Sequence, residues 1–246
     1  MTLVLASNFG AGIAVMTSDT REVFKGYWLD TESGTYSEDE DAAYRVSEEK
    51  QIKTNFLTDY VLMGTAGISD LCRHFQSEMN KLIRKDNDLE ECHEILTTLI
   101  KDCRSKTGSN PVFSFLNQEN EMMIILNGFK RNGQSGLVIF NAGPETEVEM
   151  LETPKEGSRW TMTAAEKHWA LGPQLIDVSL DDPSSMLNKT LTVHAMIAAK
   201  EQQTISPECH CYVLFYLENG ETTTFKYEFD TSVWFEALAE QEAVQK

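Results

Sequence analysis

Apolar residues recur along this chain with two different periods. Over the first twenty positions Leu3, Leu5 and Phe9 alternate with Val4 and Ala6. Gly10-Ala11-Gly12 then interrupts, and Ile13, Ala14, Val15 and Met16 resume. This pattern predicts a β-hairpin, and with apolar or small residues on both faces it predicts a hairpin covered on both sides. A further strand is expected at 60–63, followed by a glycine turn at 64–67.

The period then changes. Ile68, Leu71, Cys72, Phe75, Met79, Leu82 and Ile83 follow a 3.6-residue repeat, as do Leu89, Cys92, Ile95, Leu96, Leu99, Ile100 and Cys103. Two helices with one apolar stripe each are expected, the second ending at Lys106-Thr107-Gly108. Strands are expected over 112–116, 121–129, 136–142, 147–151 and 160–165, with Asn132-Gly133 as a hairpin turn. A helix over 188–203, a hairpin of 209–217 with 222–229 around Asn219-Gly220, and a terminal helix over 234–243 complete the reading. Strands, two helices, strands, helix and hairpin in that order exclude strict βαβ alternation. They favour an α+β fold, two antiparallel sheets stacked face to face with helices outside, a four-layer αββα sandwich.

Between Lys25 and Lys50 the pattern dissolves into the acidic run Ser37-Glu38-Asp39-Glu40-Asp41, read as a solvated insertion, with a binding arm for a basic partner as the alternative. No other composition break suggests a linker, so 1–246 is expected to form one domain. Lys and Arg number 21 against 39 Asp and Glu, a net charge of −18, which argues against nucleic acid or an anionic membrane as partner. No apolar run approaches the ~20 residues of a membrane span. The opening Met1-Thr2-Leu3-Val4-Leu5-Ala6 has neither the basic nor the long apolar region of a secretory leader. Five cysteines at 72, 92, 103, 209 and 211, without a CxxC pair, suit reduced thiols in the cytoplasm rather than zinc or disulfides.

Familiar catalytic signatures are missing: no GxSxG, P-loop, GxGxxG, HExxH or EF-hand loop occurs. Neither a cofactor nor a metal is expected. Cys209-His210-Cys211 alternates along a strand, so only the two cysteines share a face, and its role is read as structural. What remains is Thr2, which becomes the first residue if Met1 is removed. Its α-amine, with a pKa of roughly 7.7–8.0, can act as base for its own hydroxyl. A nearby ammonium favours the deprotonated forms of both, and a carboxylate would hold that ammonium in place.

Thr2-Leu3-Val4-Leu5-Ala6, with Gly12-Ile13-Ala14-Val15-Met16-Thr17-Ser18-Asp19-Thr20-Arg21, resembles the first hairpin of proteasome β-type subunits. Tyr60-Val61-Leu62-Met63-Gly64-Thr65-Ala66-Gly67 resembles the strand and glycine turn before that family's first long helix. Thr204-Ile205-Ser206-Pro207-Glu208 and the Trp169-Ala170-Leu171-Gly172 turn are similar to the bacterial relatives HslV and Anbu. The resemblance implies an N-terminal nucleophile (Ntn) hydrolase, a threonine protease that hydrolyses peptide bonds, with a catalytically silent proteasome-like subunit, or an Ntn amidase or transferase acting on a non-protein substrate, as the alternatives. Thr2 would be the nucleophile, Asp19 the carboxylate orienting a lysine, and Lys53 that lysine, with Lys50 as the alternative. The N–H of Gly67 would donate to the oxyanion. The family's Gly-Ser-Gly turn maps near Leu171 and its Asp-x-x-Ser pair near Glu201-Gln202-Gln203-Thr204, so the serines that support the nucleophile there are replaced. The implied partners are a peptide or unfolded-protein substrate, further copies of the chain in a homo-oligomeric ring, and a separate ATPase unfoldase.

Overall fold

Ten of the strands form two antiparallel sheets of five. The computed structural model describes residues 2–10, 12–21, 23–24, 27–30, 35–38, 45–46, 51–163, 166–173, 183–202 and 204–234. The first sheet takes β1 (Val4–Phe9), β2 (Ile13–Asp19), β12 (Ser158–Met162), β13 (Glu208–Tyr216) and β14 (Thr222–Asp230), in the order β12-β1-β2-β13-β14. The second takes β7 (Thr54–Phe56), β8 (Val61–Gly67), β9 (Met122–Phe129), β10 (Ser135–Asn141) and β11 (Glu149–Glu152), in the order β11-β10-β9-β8-β7. Among the described residues three longer helices accompany them: α1 (Ser69–Leu82), α2 (Leu89–Ser105) and α3 (Pro183–Lys200). The fold class is α+β.

Residue alternation sorts the core. Even positions of β1 and β2, such as Val4, Ala6, Ala14 and Met16, pack with Leu62, Ile125, Phe129 and Leu137 of the second sheet. Odd positions turn the other way: Leu3 and Leu5 meet Val193, Ile197 and Ala198 of α3. On the second sheet's opposite face, Met63, Ile124 and Val138 pack on Leu71 and Phe75 of α1 and Leu96 of α2. Every residue of β1 and β2 is therefore buried, as the two-sided apolar pattern requires.

One polar cluster crosses between the sheets. Fully buried Asn127 donates from Nδ2 to the carbonyls of Ser7 at 3.0 Å and Val15 at 2.9 Å, and its Oδ1 accepts from Asn8 Nδ2 at 3.0 Å. Thr153 Oγ1 donates in turn to Asn8 Oδ1.

The helix stripes fall where their period predicts. α2 begins with a reciprocal cap in which the Asp88 carboxylate accepts from Glu91 N–H and the Glu91 carboxylate accepts from Asp88 N–H. Residues 112–116, expected as a strand, form instead a 3₁₀ helix, Pro111–Asn117. Pro111 opens it, Asn110 caps Val112 N–H, and a short apolar run has no period of its own to choose between the two states. The glycine turn expected at 64–67 is also corrected, because β8 runs straight through Gly67. A β-carbon at Gly64 would lie 2.6 Å from Val4 Cγ1 and 2.8 Å from Met16 Sδ, so this glycine serves close approach of the sheets, not chain reversal.

Within the acidic segment the expected loop carries strands: β3 (Val23–Phe24) pairs antiparallel with β6 (Arg45–Val46), and β4 (Tyr27–Asp30) pairs antiparallel with β5 (Thr35–Glu38). Lys50, and the expected terminal helix from residue 235 onward, lie outside the described residues. Among the described residues no helix is long and apolar enough to cross a membrane.

Candidate active site

The β1–β2 pairing sets Val4 opposite Ser18, so the next pair outward brings Leu3 to Asp19. Asp19 N–H donates to the Leu3 carbonyl at 3.1 Å, and Leu3 N–H donates back to Asp19 Oδ1 at 2.9 Å. Thr2 thus begins one residue from a fully buried carboxylate. A second clamp comes from the end of β12. Thr163 Oγ1 donates to the Thr2 carbonyl at 2.9 Å and accepts from Val4 N–H at 2.7 Å.

Lys53 arrives from the other sheet. Its carbonyl accepts from Thr65 N–H at 2.9 Å, which extends the β7–β8 pairing by one residue. The side chain, 9% exposed, reaches back to the first sheet, and Nζ lies 2.8 Å from Asp19 Oδ1. It also donates to the Arg21 carbonyl. Asp19 Oδ2 accepts from Arg21 N–H at 3.0 Å, so the carboxylate holds one ammonium and two backbone donors. One buried oxygen therefore links the residue beside Thr2 to Lys53, the lysine that the resemblance implies.

Gly67 closes the arrangement. It ends β8 at φ +112°, in the left-handed region, and a β-carbon there would overlap the Glu121 carbonyl. Thr2, Lys53, Thr65, Gly67, Cys72 and Gln76 line one open cleft. Gln76 Nε2 donates to Thr65 Oγ1 at 3.0 Å. Burial pushes the Cys72 thiol up to about 11, against the opposing pull of Thr65 and Lys53, so it is a poor nucleophile near neutral pH.

Three of the sequence-derived residues, Thr2, Lys53 and Gly67, thus line one cleft, and the fourth, fully buried Asp19, holds Lys53 from behind it. The positions where serines would support the threonine do not. Leu171 packs against the apolar cluster of Leu3 and Leu5. Ser206 reaches the site strand: its Oγ accepts from Thr20 N–H at 3.0 Å and lies 3.2 Å from Thr20 Oγ1, and beside it Arg21 Nη1 donates to the Gln202 carbonyl. Glu201 Oε1 pairs with His168 Nε2 at 2.9 Å.

Sequence reasoning missed Thr163 and His194, and it placed Ser206 in the resemblance without a role at the site. His194 lies fully buried with Nδ1 3.1 Å from Thr17 Oγ1. Burial pulls its pKa down to about 4, opposed by the Asp19 charge and assisted by Lys53, so the ring is neutral. Cys209 and Cys211 face the same apolar cluster, while His210 Nε2 lies 3.6 Å from Glu228, as strand alternation requires. Among the described residues no group of three His, Cys, Asp or Glu side chains could hold a metal ion.

Chemically, a lysine pinned by a buried carboxylate is a fixed positive charge. It favours the deprotonated form of any amine or hydroxyl brought beside it. No family model matches this sequence, and no curated protein matches it.

Proposed function

We propose that the chain is a proteasome-like N-terminal nucleophile hydrolase, a threonine peptidase that uses Thr2 once its amine is freed. The observation that carries this reading is the shared oxygen of Asp19, bonded to Leu3 N–H at 2.9 Å and to Lys53 Nζ at 2.8 Å. It couples the residue after the nucleophile to the ammonium that the chemistry requires. The helix, sheet, sheet, helix order of the core clusters supports the four-layer αββα assignment.

In the proposed reaction the Thr2 amine accepts the hydroxyl proton as Oγ attacks the scissile carbonyl carbon. Gly67 N–H donates to the oxyanion; removing a contact of this kind elsewhere costs about 10²–10³ in rate. The ammonium formed at Thr2 returns the proton to the departing amine, leaving an ester at Oγ. Water, deprotonated by the same amine, then hydrolyses the ester and restores Thr2. Extended peptide would add as a strand between Thr20-Arg21 and the 64–67 segment. The proposal includes homo-oligomeric rings fed by a separate ATPase unfoldase, in the cytoplasm, in keeping with five free thiols.

A second reading, a catalytically silent proteasome-like subunit, is favoured by Leu171, which sits in an apolar cluster where the resemblance calls for a serine. Intact mass and active-site labelling separate the two. The peptidase reading expects loss of Met1 and adduct formation with an epoxyketone or β-lactone that Thr2→Ala abolishes. Protein lacking Met1 that stays unlabelled favours the silent subunit.

A further inference from the structure

Among the described residues strand β14 is an edge of the first sheet, and its side chains from 224 to 228 are exposed on both faces. One face is aromatic. Phe225 (43% exposed) stacks on Tyr227 (41% exposed) at 6.3 Å with 9° between the rings, and Tyr227 continues to Phe229 at 5.9 Å. The other face carries Lys226 and Glu228, whose charges lie 3.2 Å apart along the strand. Bonds from Leu217 N–H to the Glu221 carbonyl and from Thr231 N–H to the Pro207 carbonyl frame the β13–β14 ladder. By alternation, odd positions of β14 direct their backbone groups to β13 and even positions direct theirs to the outer edge.

We infer that β14 is the docking surface for a second copy of this chain, pairing antiparallel with its own counterpart about a two-fold axis at Tyr227. The register follows from charge. Centred on Tyr227, Lys226 of each copy stands opposite the partner's Glu228, Phe225 opposite the partner's Phe229, and Tyr227 opposite its equivalent. Centring on Lys226 or Glu228 sets like charges face to face, and centring on Phe225 leaves Lys226 opposite a threonine. Shifts to odd registers put aromatic side chains against polar ones.

An edge lysine ordinarily blocks strand addition. Here an acidic residue two positions on makes the block self-complementary, so it excludes other strands while admitting its own copy. The pairing also brings two copies of a chain of net charge −18 together at a locally balanced patch. It is independent of the peptidase reading.

The test is sedimentation velocity and oxidative cross-linking of the full chain. Wild type is expected to associate through this edge. Lys226→Glu and Glu228→Lys should each halve the particle mass, and the double swap should restore it. Odd positions face each other as a non-hydrogen-bonded pair, with Cα atoms about 4.5 Å apart, within disulfide reach. Under oxidised glutathione Tyr227→Cys should therefore yield a covalent dimer, whereas Phe225→Cys, whose mate is residue 229, should not. A monomeric wild type, a double swap that stays dissociated, or equal cross-linking at 225 and 227 overturns the proposal.

Discussion

Lys53 and Asp19 form an ion pair of 2.8 Å between the two sheets, with only 9% and 0% of their side chains exposed. A pair so buried is sensitive to the loss of either member, because the survivor keeps its charge without its partner. Lys53→Met leaves the Asp19 carboxylate with two backbone donors. The expected cost is about 3–5 kcal/mol, a drop in melting temperature on the order of 10 °C by calorimetry. Asp19→Asn keeps the shape but not the charge, so it should retain more stability than Lys53→Met while slowing Thr2 labelling about 10²-fold. Equal stability of wild type and Lys53→Met would disprove the buried pair.

Thr163 bonds both the Thr2 carbonyl and Val4 N–H. Thr163→Val is nearly isosteric and removes both interactions, at about 1 kcal/mol each. The melting temperature should fall by roughly 4–8 °C and labelling at Thr2 should slow, while Thr163→Ser should restore both. Failure of the serine variant to rescue would remove the hydroxyl from the argument.

Gly67→Ala forces a β-carbon onto the Glu121 carbonyl at a backbone angle of φ +112°. The left-handed conformation alone costs about 1–3 kcal/mol, and the overlap adds to it. Gly108→Ala is the control, since a β-carbon there meets nothing within 4 Å. Denaturant midpoints should fall clearly for the first and move within about 0.5 kcal/mol for the second.

His194 makes stability depend on pH. Its pKa falls from 6.5 to about 4 on folding because burial disfavours the charged ring. Between those values the unfolded chain binds the extra proton, so stability is full above pH 6.5 and declines as pH falls toward 4. The loss amounts to about 3 kcal/mol. Melting curves of His194→Gln should show a shallower slope across this window than wild type; parallel slopes would contradict the assignment.

The hairpin and helices were legible because their periods run over many residues: every position of β1 and β2 is buried, and the stripes of α1 and α2 face the core. Asp19 was legible as the polar end of an apolar strand, and Lys53 only through the family resemblance, since nothing in its neighbours marks it as buried. Thr163 carries no such signal. A threonine after a short strand is commonplace, and its role depends on β12 pairing with β1 across more than 150 positions of sequence. Residues 112–116 show the limit of composition: five residues without a period took a 3₁₀ helix because Asn110 and Pro111 start one.

Asn127 ties these outcomes together. Thr2 and Asp19 belong to one sheet, Thr65 and Gly67 to the other, and the cleft exists only while the two hold their relative position. Methyl groups tolerate sliding; a primary amide gripping Ser7 and Val15 does not. Alignment of the groups that line the cleft therefore rests on a keystone in the buried interior, where a single change would leave every lining side chain intact and still bring the two halves out of true.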